Sequence, residues 1–434
     1  MKQMVLMSVL LLIGTVGPIV FGPFSGLAMY YLFSVLRPQY MWEWALSGQI
    51  NWSFYVGVAT IVATFLYLPK NLRGRNFTVA HAAVLMFALW VTLSHIFALN
   101  AEVSSRWYWE YFKIFLMFFC GSVVIKEFTQ IKILYLIAVF ALGYIAYEFN
   151  FLYLFEHRLD VYHLGYGGLD NNGAGLMLAM GIPMAYFLWQ GPRRWWRWVF
   201  LAMIPVMLHA VLMSYSRGAM VSLLLASPLL VLRSPYKKGV ALFLAGLLFL
   251  LPILAGKEIR ARFFSTEQYQ QDNSAQSRFE SWSAAWKIAQ DYPVLGVGLR
   301  NADLLSYRYG ADVRGRTIHS LYLQTAADSG FPAIVFYLLL LFATWRALRS
   351  VQKRCRTSTS EVDQLAYSLA SGIEGAMAVF CIGALFLSVD VFELPYLLIL
   401  LVLQLRSLLA QKEAAASPAH LAKVEEPATA YARA

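Results

Sequence analysis

The sequence predicts an all-α polytopic membrane protein with about 12 transmembrane helices and one long outward loop that contains short amphipathic helices. Of its 434 residues, 59% are hydrophobic and only 14% are charged, and the mean hydropathy is +0.57. A soluble domain is about 45–50% apolar and about 25% charged, so this composition requires a lipid environment. Apolar runs of about 20 residues recur along the chain, and that length is typical of membrane helices rather than of barrel strands.

Twelve apolar segments carry this prediction. Glycine and proline interrupt the first one at Gly17-Pro18 and Gly22-Pro23, so it forms either one kinked crossing or two short helices. No convincing cleavage site follows it, and we expect it to be retained as a span. The segments lie near residues 4–36, 53–69, 79–99, 109–125, 133–155, 173–190, 198–215, 219–232, 239–256, 331–348, 366–389 and 395–410.

Lysine and arginine are divided unequally between alternate connections of these segments. One set of connections carries eighteen of them, whereas the short loops of the other set carry only Arg37, Arg106 and Arg158. The basic set is expected in the cytoplasm together with both termini. This topology also explains the net charge of +11, so the lipid bilayer is the expected partner and nucleic acid is not.

One outward segment, residues 257–330, is too long for a simple connector. Loops of more than about 12–15 residues are usually functional, so we expect the chemistry there. The segment separates a membrane bundle of ten spans or part-spans, residues 1–256, from carboxy-terminal membrane helices at 331–410. The tail, residues 411–434, is rich in Ala, Glu, Lys and Pro and is expected to be disordered and cytoplasmic.

Within this segment the sequence predicts a helix over residues 275–290. Asp272-Asn273-Ser274 offers caps before it, and Pro293 follows its end. Arg278, Trp282 and Trp286 recur at intervals of four residues and share one face. That face is typical of an interfacial helix, with its indoles at headgroup level.

Arg217 lies between two apolar runs, in Ser214-Tyr215-Ser216-Arg217-Gly218-Ala219, on the outward side. An arginine at the centre of a membrane helix costs about 2.5–3.5 kcal/mol on insertion scales, so it normally faces a polar cavity or an anionic partner. The alternative is an arginine at a helix end that extends to the membrane surface. Its polar neighbours, including Tyr215, favour the functional interpretation.

Arg278 and Arg300 belong to a group of outward arginines in residues 257–330. Arginines in an exposed loop often have no specific function, and this explanation covers most of the group. Planar guanidinium groups nevertheless suit bidentate phosphate binding. Together with Arg217, these two arginines are the candidates for binding a lipid-linked phosphate or pyrophosphate.

His319 lies outward at a predicted helix start, just before the chain returns to the membrane at Gly330-Phe331-Pro332. An imidazole with a pKa near neutrality can take a proton from an attacking hydroxyl. A single histidine is often structural, so the spacing alone leaves a base and a bystander equally open. Ser320 and Tyr322 follow it and are candidate contacts for a sugar or an acceptor.

Asp170-Asn171-Asn172-Gly173 ends another outward loop and begins a span. Asp and Asn are good N-cap residues, and the alternative is a turn that contacts a sugar or a phosphate at a helix start. The nearby His157, Asp160 and His163 lack the helical spacing of a metal site. The three cysteines are scattered, and Gly296-Val297-Gly298 has no surrounding βαβ unit, so we expect no metal and no cofactor.

These residues together resemble the O-antigen ligase family, which also contains O-antigen polymerases and bacterial protein O-oligosaccharyltransferases. The similarity is best over residues 165–345, and it is greatest to O-glycosylation ligases associated with exosortase systems. The stretches that carry it are Leu169 to Asn172, Ser214 to Ala219, Gln271 to Trp286 with Arg278, Pro293 to Gly298, and His319-Ser320 followed by nine residues and Gly330.

The resemblance implies a metal-independent glycosyl transfer on the periplasmic face of the bacterial inner (cytoplasmic) membrane. The donor would be a glycan on undecaprenyl pyrophosphate, and the acceptor a hydroxyl of lipid A core, of another glycan or of a protein. Family members place two arginines on the pyrophosphate and a histidine near the acceptor hydroxyl. The matching residues here are Arg217, Arg278 and His319, and a single displacement would invert the anomeric configuration.

Two alternatives remain open at this point. A polymerase of the same family would use the same donor but extend a glycan. A transporter or flippase of lipid-linked or anionic solutes would use Arg217 as a binding charge within the membrane. Transporters usually show related halves and broken helices at the midplane, and the sequence shows no internal repeat, so the long outward segment favours the enzyme.

Overall fold

The computed structural model describes residues 2–43, 51–67, 77–192, 195–239, 241–242 and 273–416. Within these ranges the regular structure is helical, apart from one β-bridge between Tyr166 and Leu169. Most of the expected span at 239–256 lies outside the described residues. Residues 257–272 of the expected loop also lie outside them.

Sixteen α-helices are described, and they are α1 (Lys2–Val20), α2 (Pro23–Leu36), α3 (Pro38–Met41), α4 (Trp52–Leu66), α5 (Val79–Ile96), α6 (Ala101–Val124), α7 (Phe128–Glu156), α8 (Asp160–His163), α9 (Asn171–Gln190), α10 (Arg197–Met213), α11 (Arg217–Arg233), α12 (Asn273–Asp291), α13 (Asn301–Leu305), α14 (Leu321–Cys355), α15 (Glu361–Gly383) and α16 (Glu393–Ala416). A 3-10 turn, Ser306–Tyr309, follows α13.

Six of the described helices are long and apolar enough to cross a membrane: α1, α5, α7, α14, α15 and α16. The shorter helices α4 and α10 are also apolar. The predicted all-helical membrane fold is therefore confirmed, whereas the number of about 12 spans stays a prediction. Helix α16 continues to Ala416, past residue 410, where the last span was expected to end.

The first apolar segment forms two antiparallel helices, α1 and α2, rather than one kinked crossing. Gly14 faces Met29, and Gly26 faces Pro18, so the chain reverses direction between the two helices. The beginning of α1 consequently lies at the same end of the bundle as Arg37, at the end of α2. The charge count had placed the amino terminus and Arg37 at opposite ends, and this hairpin does not fit that assignment.

Helix α9 is the most enclosed of the described helices, and its residues from Gly173 to Leu188 are buried. It packs against α10, α11 and α15. Glycines allow the close approach: Gly181 faces Met207 of α10, and Gly375 of α15 faces Pro183. This packing fixes the start of α9, with Asp170, at one end of the bundle. We call this the upper end, which also carries Arg37 and His319, and the opposite end, with Arg233, the lower end.

The described part of the long loop folds against the upper end as a small layer. Helix α12 buries one face there, and a separate apolar core joins it to the next segments. The Leu99 N–H donates to the Val297 carbonyl at 3.0 Å, and the Asn301 amide donates to the Asn100 carbonyl at 3.1 Å. These bonds attach the layer to the α5–α6 connection. The core consists of Ala285, Ile288, Val297, Ala302, Ile318 and Ala327.

Helix α14 is broken at Gly330, where the sequence predicted the return to the membrane. The φ angle there is +80°, and a Cβ on Gly330 would lie 2.1 Å from the Val294 carbonyl oxygen. Only glycine suits both conditions. The break separates a short upper segment, residues 321–329, from a long apolar segment, residues 331–355, and it thereby holds the residues around His319 above the bundle.

Candidate functional site

A cavity of about 530 Å³ lies at the upper end of the bundle. Ligand sites usually measure about 300–1,000 Å³, so the cavity can hold a small ligand. Its wall combines residues that are far apart in the sequence: Arg37 after α2, Asp170 before α9, Arg300 and His319 from the upper layer, and Glu393 at the start of α16. The fold thus collects charged groups from four regions around one space.

Helix α12 fixes the backbone of His319 at the wall of this cavity. The indole N–H of Trp282 donates to the His319 carbonyl at 3.3 Å, and the Ser281 hydroxyl donates to the Ile318 carbonyl at 3.2 Å. The φ angle of His319 is +55°. Such a conformation is uncommon for residues other than glycine, and it persists where surrounding contacts determine it. The contacts with α12 therefore determine the backbone conformation of His319.

The surroundings of His319 keep its imidazole uncharged. Burial is the main effect that lowers the pKa of His319 to about 4, and the positive charge of Arg278 lowers it further. Asp170 acts in the opposite direction, and the positive charges of Arg316 and Arg300 lower the pKa as well. A neutral imidazole has a ring nitrogen that can accept a proton. At neutral pH the residue is thus in the form that a general base requires.

The predicted helix over residues 275–290 is present within α12, but its tryptophans differ in their surroundings. Trp282 is half-buried, and its ring lies 6.2 Å from that of Phe386. Trp286 is more exposed, and its ring lies 5.7 Å from that of Phe331. Trp282 therefore packs against protein and supports His319, whereas the sequence pattern had suggested an indole at headgroup level.

Arg217 is the first residue of α11. The Ser216 side chain caps this helix by accepting a hydrogen bond from the Ala219 N–H at 3.2 Å. The next residue, Gly218, faces the Cβ of Phe386, the residue whose ring contacts Trp282. Arg217 thus begins a helix at the upper end, beside the aromatic contact that supports His319. In the described part of the chain, the cavity is lined by His319 but by neither Arg217 nor Arg278.

Asp170 is an N-cap, as one of the two sequence interpretations held. Its carboxylate accepts hydrogen bonds from the Gly173 N–H at 2.8 Å and from the Asn172 amide at 3.2 Å. The Asn171 amide donates to the Ser214 carbonyl at 2.9 Å and so joins this turn to the segment before Arg217. Asp170 also lines the cavity, whereas Asn171 and Asn172 hold the turn together.

Three further candidates for sugar or acceptor contacts lie away from the cavity lining. The Tyr322 hydroxyl donates to the Cys381 carbonyl at 2.9 Å, inside the bundle. Ser320 is buried at the start of α14. The ring of Tyr215 lies 5.0 Å from that of Tyr162. These positions favour structural roles for all three side chains.

Arg300 was expected to bind pyrophosphate, but its guanidinium is already held by protein groups. It pairs with Asp390 at 2.6 and 3.3 Å and with Asp303 at 3.3 Å. It also lies over the Trp107 ring, 4.4 Å from the centroid, and only 9% of the residue is exposed. This geometry favours a role in shaping the cavity over direct contact with a phosphate.

The acidic half of the site was missed by sequence reasoning. Asp303 and Glu393 line the cavity, and Asp390 pairs with Arg300. The buried Asp328 accepts hydrogen bonds from the backbone N–H groups of Arg300 at 2.8 Å and Ala302 at 3.0 Å. A signal was available, because an ionisable residue beside or within an apolar segment is usually functional.

The segment that contains these residues also matches a known family. A family model described as O-antigen ligase matches residues 205–338, which include Arg217, Arg278, Arg300 and His319. This match confirms the resemblance to an O-antigen ligase-like family, and with the apolar helices it supports a membrane protein of lipopolysaccharide biosynthesis. No curated protein matches the chain.

Proposed function

On the premise of this O-antigen ligase-like segment, we propose that the protein is a metal-independent glycosyltransferase. It moves a glycan from undecaprenyl pyrophosphate to a hydroxyl of lipid A core, of another glycan or of a protein, at the periplasmic face of the bacterial inner membrane. The observation that carries the proposal is the uncharged His319, which borders a cavity and lies near Arg278. The family match supports the type of reaction.

In this reaction the acceptor oxygen attacks the anomeric carbon of the donor glycan. The bond between that carbon and the pyrophosphate oxygen breaks, and its electron pair leaves with the pyrophosphate. His319 takes the proton of the attacking hydroxyl, a step that typically contributes a factor of about 10²–10⁴. A single displacement of this kind inverts the anomeric configuration.

Arg217 and Arg278 stabilise the charge that develops on the leaving pyrophosphate. Arg217 begins α11, where the backbone N–H groups of the helix start add positive partial charge. A guanidinium can also bind two phosphate oxygens at once. Charges that are positioned before the reaction require no reorganisation during it, and this is usually the largest contribution to catalysis.

Donor binding also adjusts the basicity of His319. Without donor, the positive charge of Arg278 contributes to lowering the pKa of His319 to about 4. A pyrophosphate bound to Arg278 adds negative charge near the imidazole, and this raises the pKa towards neutrality. A general base is most effective when its pKa lies near the working pH. The histidine thus becomes a better base when the donor is in place.

A reconstituted transfer assay tests the proposal. Purified protein in vesicles is given a radiolabelled undecaprenyl-pyrophosphate glycan and membrane fractions that contain candidate acceptors. We expect His319→Ala to lose transfer by a factor of about 10²–10⁴, because the proton acceptor is missing. The matched control is His163→Ala, since His163 is an exposed histidine in the α7–α9 connection.

The outcomes separate the candidate functions. Transfer that is lost in His319→Ala but kept in His163→Ala supports the glycosyltransferase, and the labelled product identifies the acceptor. Equal transfer by wild type and His319→Ala would reject His319 as the base. Movement of the labelled donor across the bilayer, without transfer to any fraction, would support a flippase instead.

A further inference from the structure

Helix α14 has one continuous exposed face along its long segment, residues 331–355. The opposite face is buried and includes Tyr337, Leu340 and Leu348. The exposed residues recur at intervals of one, three or four positions and so lie in one line along the helix. We call this line the α14 stripe, and from the upper to the lower end it consists of Val335, Leu338, Leu339, Phe342, Trp345, Arg346, Arg349 and Lys353.

The chemistry of the α14 stripe changes along the helix. From Val335 to Phe342 it is apolar, and at 1.5 Å per residue this part is about 10 Å long. Trp345 follows, and the three basic residues occupy the next two turns. A lipid leaflet has the same order, because its hydrocarbon is followed by an interface that favours tryptophan and then by headgroups that favour Lys and Arg. The stripe therefore follows one leaflet from its chains to its headgroups.

Two cations of the α14 stripe are not neutralised by the described part of the chain. Arg346 and Lys353 are exposed and form no ion pair with any described residue. The segment 331–355 contains neither aspartate nor glutamate. Glu413 of α16 pairs instead with Arg354, at 3.2 Å. The positive charge of the stripe is thus available to an anion outside the protein.

The third cation, Arg349, adds a charge that its nearest carboxylate balances only weakly. Its guanidinium lies 4.0 Å from Glu374, but Arg233 and Gln352 already hydrogen-bond to the oxygens of that carboxylate. It also lies over the Trp345 ring, 5.9 Å from the centroid, and its side chain is 47% exposed. The indole therefore places a positive charge at the level where the stripe changes from apolar to basic.

We propose that the α14 stripe binds an anionic phospholipid from the leaflet at the lower end. Arg346, Arg349 and Lys353 bind its phosphate, since guanidinium groups suit phosphate oxygens, and the acyl chains pack along the apolar part from Val335 to Phe342. A second copy of the chain fits less well, because a two-fold contact through the same face would bring the cations of both copies together. The site is independent of the proposed glycosyl transfer.

Spin-labelled lipids test this site in phosphatidylcholine vesicles that contain the full-length protein. Electron paramagnetic resonance distinguishes lipids held by the protein from free lipids. We expect the protein to hold anionic phosphatidylglycerol more strongly than phosphatidylcholine, at a saturable site. Arg346→Gln combined with Lys353→Gln should lower the affinity for phosphatidylglycerol about 25-fold, because each Lys or Arg near a charged headgroup contributes about fivefold.

Two further variants separate the site from charge in general and from folding. Lys237→Gln combined with Lys238→Gln is the matched control, since it removes two charges from exposed positions after α11 at the lower end. Its preference for phosphatidylglycerol should equal that of wild type. Arg346→Lys keeps the charge and should retain most of the preference. A normal elution profile in detergent shows that each variant is folded.

A preference for phosphatidylglycerol that is lost in the stripe variant and kept in the control supports the site. Equal losses in both double variants would overturn it, because they would show a general attraction between the lower end and anionic lipid. An unchanged affinity in the stripe variant would overturn it as well. Wild-type dimers that the stripe variant dissociates, with no preference for phosphatidylglycerol, would show that a second copy covers this face instead.

Discussion

The two ends of the bundle each contain an arginine paired with a buried carboxylate on another helix or loop, and the two clusters differ in whether they border a cavity. At the lower end, Arg233 of α11 bonds to both oxygens of Glu374 of α15, at 2.5 and 2.8 Å. Gln352 of α14 donates to the same carboxylate at 2.7 Å. At the upper end, Arg300 pairs with Asp390 and Asp303, and Arg300 and Asp303 line the cavity.

This difference indicates two separate roles for buried charge. Both oxygens of Glu374 are occupied by protein donors from α11 and α14, so the lower cluster joins three helices. The upper cluster borders the cavity of about 530 Å³. An ion pair between helices contributes to folding, whereas an ion pair at a cavity wall also shapes the space that a ligand enters. Variants of each cluster should therefore affect different measurements.

The largest effect on stability is expected at the lower cluster. Glu374→Ala leaves the half-buried Arg233 without its carboxylate. Breaking a fully buried pair costs about 3–5 kcal/mol, so we expect a loss near the lower end of this range. The folded fraction should transfer glycan with unchanged kcat and KM values. Denaturant unfolding in detergent micelles measures the first effect, and the transfer assay measures the second.

Glu413→Gln provides the control for this experiment. Glu413 pairs with Arg354 on the surface, where its side chain is 64% exposed, and such a pair contributes about 0–1 kcal/mol. If Glu374→Ala left stability unchanged but reduced transfer by folded protein, the lower cluster would be functional and the comparison would fail.

In the upper layer, a substitution should reduce transfer and leave stability almost unchanged. Arg278→Ala is expected to reduce transfer by a factor of about 10²–10³, as found when one preorganised donor is removed from an active site. Arg278→Lys should retain more activity, because it keeps the charge but loses the planar fork. Stability should hardly change, since Arg278 lies on a partly exposed position of α12. Steady-state kinetics of both variants measure the loss.

The control for Arg278 is Arg308→Ala, which removes an exposed arginine from the same layer. If Arg278→Ala transferred glycan at the full rate, the assignment of the donor site to this end of the molecule would be wrong. Equal losses in both variants would indicate a general effect of positive charge in the layer rather than a specific contact.

Local features of this fold could be predicted from the sequence because their signals are local. Asp170 caps α9, the helix over residues 275–290 lies within α12, and Gly330 breaks α14 where the chain was expected to enter the membrane. Each depends on residues a few positions apart. The long apolar helices likewise follow from composition alone.

Ionisable residues near apolar segments were a signal for the acidic part of the site, but which of these residues meet depends on distant contacts. Arg300 and Asp390 are 90 residues apart in the sequence. Without the fold, Arg300 resembles an exposed loop arginine available to phosphate, because Asp303 is only three residues away but Asp390 belongs to another segment. The hairpin of α1 and α2 was also beyond the charge count, because that method assigns sides to loops and does not detect a reversal within one apolar segment.

The smallest predicted effect is that of Asp170, whose negative charge acts on the pKa of His319 in the direction opposite to the nearby arginines. Burial and Arg278 lower the pKa of His319, whereas Asp170 raises it. Asp170→Asn removes that negative charge, so the pKa of His319 should fall below about 4. The protonated imidazole cannot accept a proton, and the acidic limb of kcat/KM should therefore move to lower pH. At neutral pH the histidine of the donor-free enzyme is uncharged in both proteins, so its protonation state contributes no difference in kcat/KM for the donor.

Asparagine caps a helix about as well as aspartate, so α9 and the stability of the protein should be preserved. This separates the electrostatic effect of Asp170 from its structural one. A change in acceptor binding would alter the height of the pH profile, whereas the charge alters the position of its acidic limb. A limb that stays in place, or moves to higher pH, would show that the base at the upper end is not His319 or that Asp170 does not act on it.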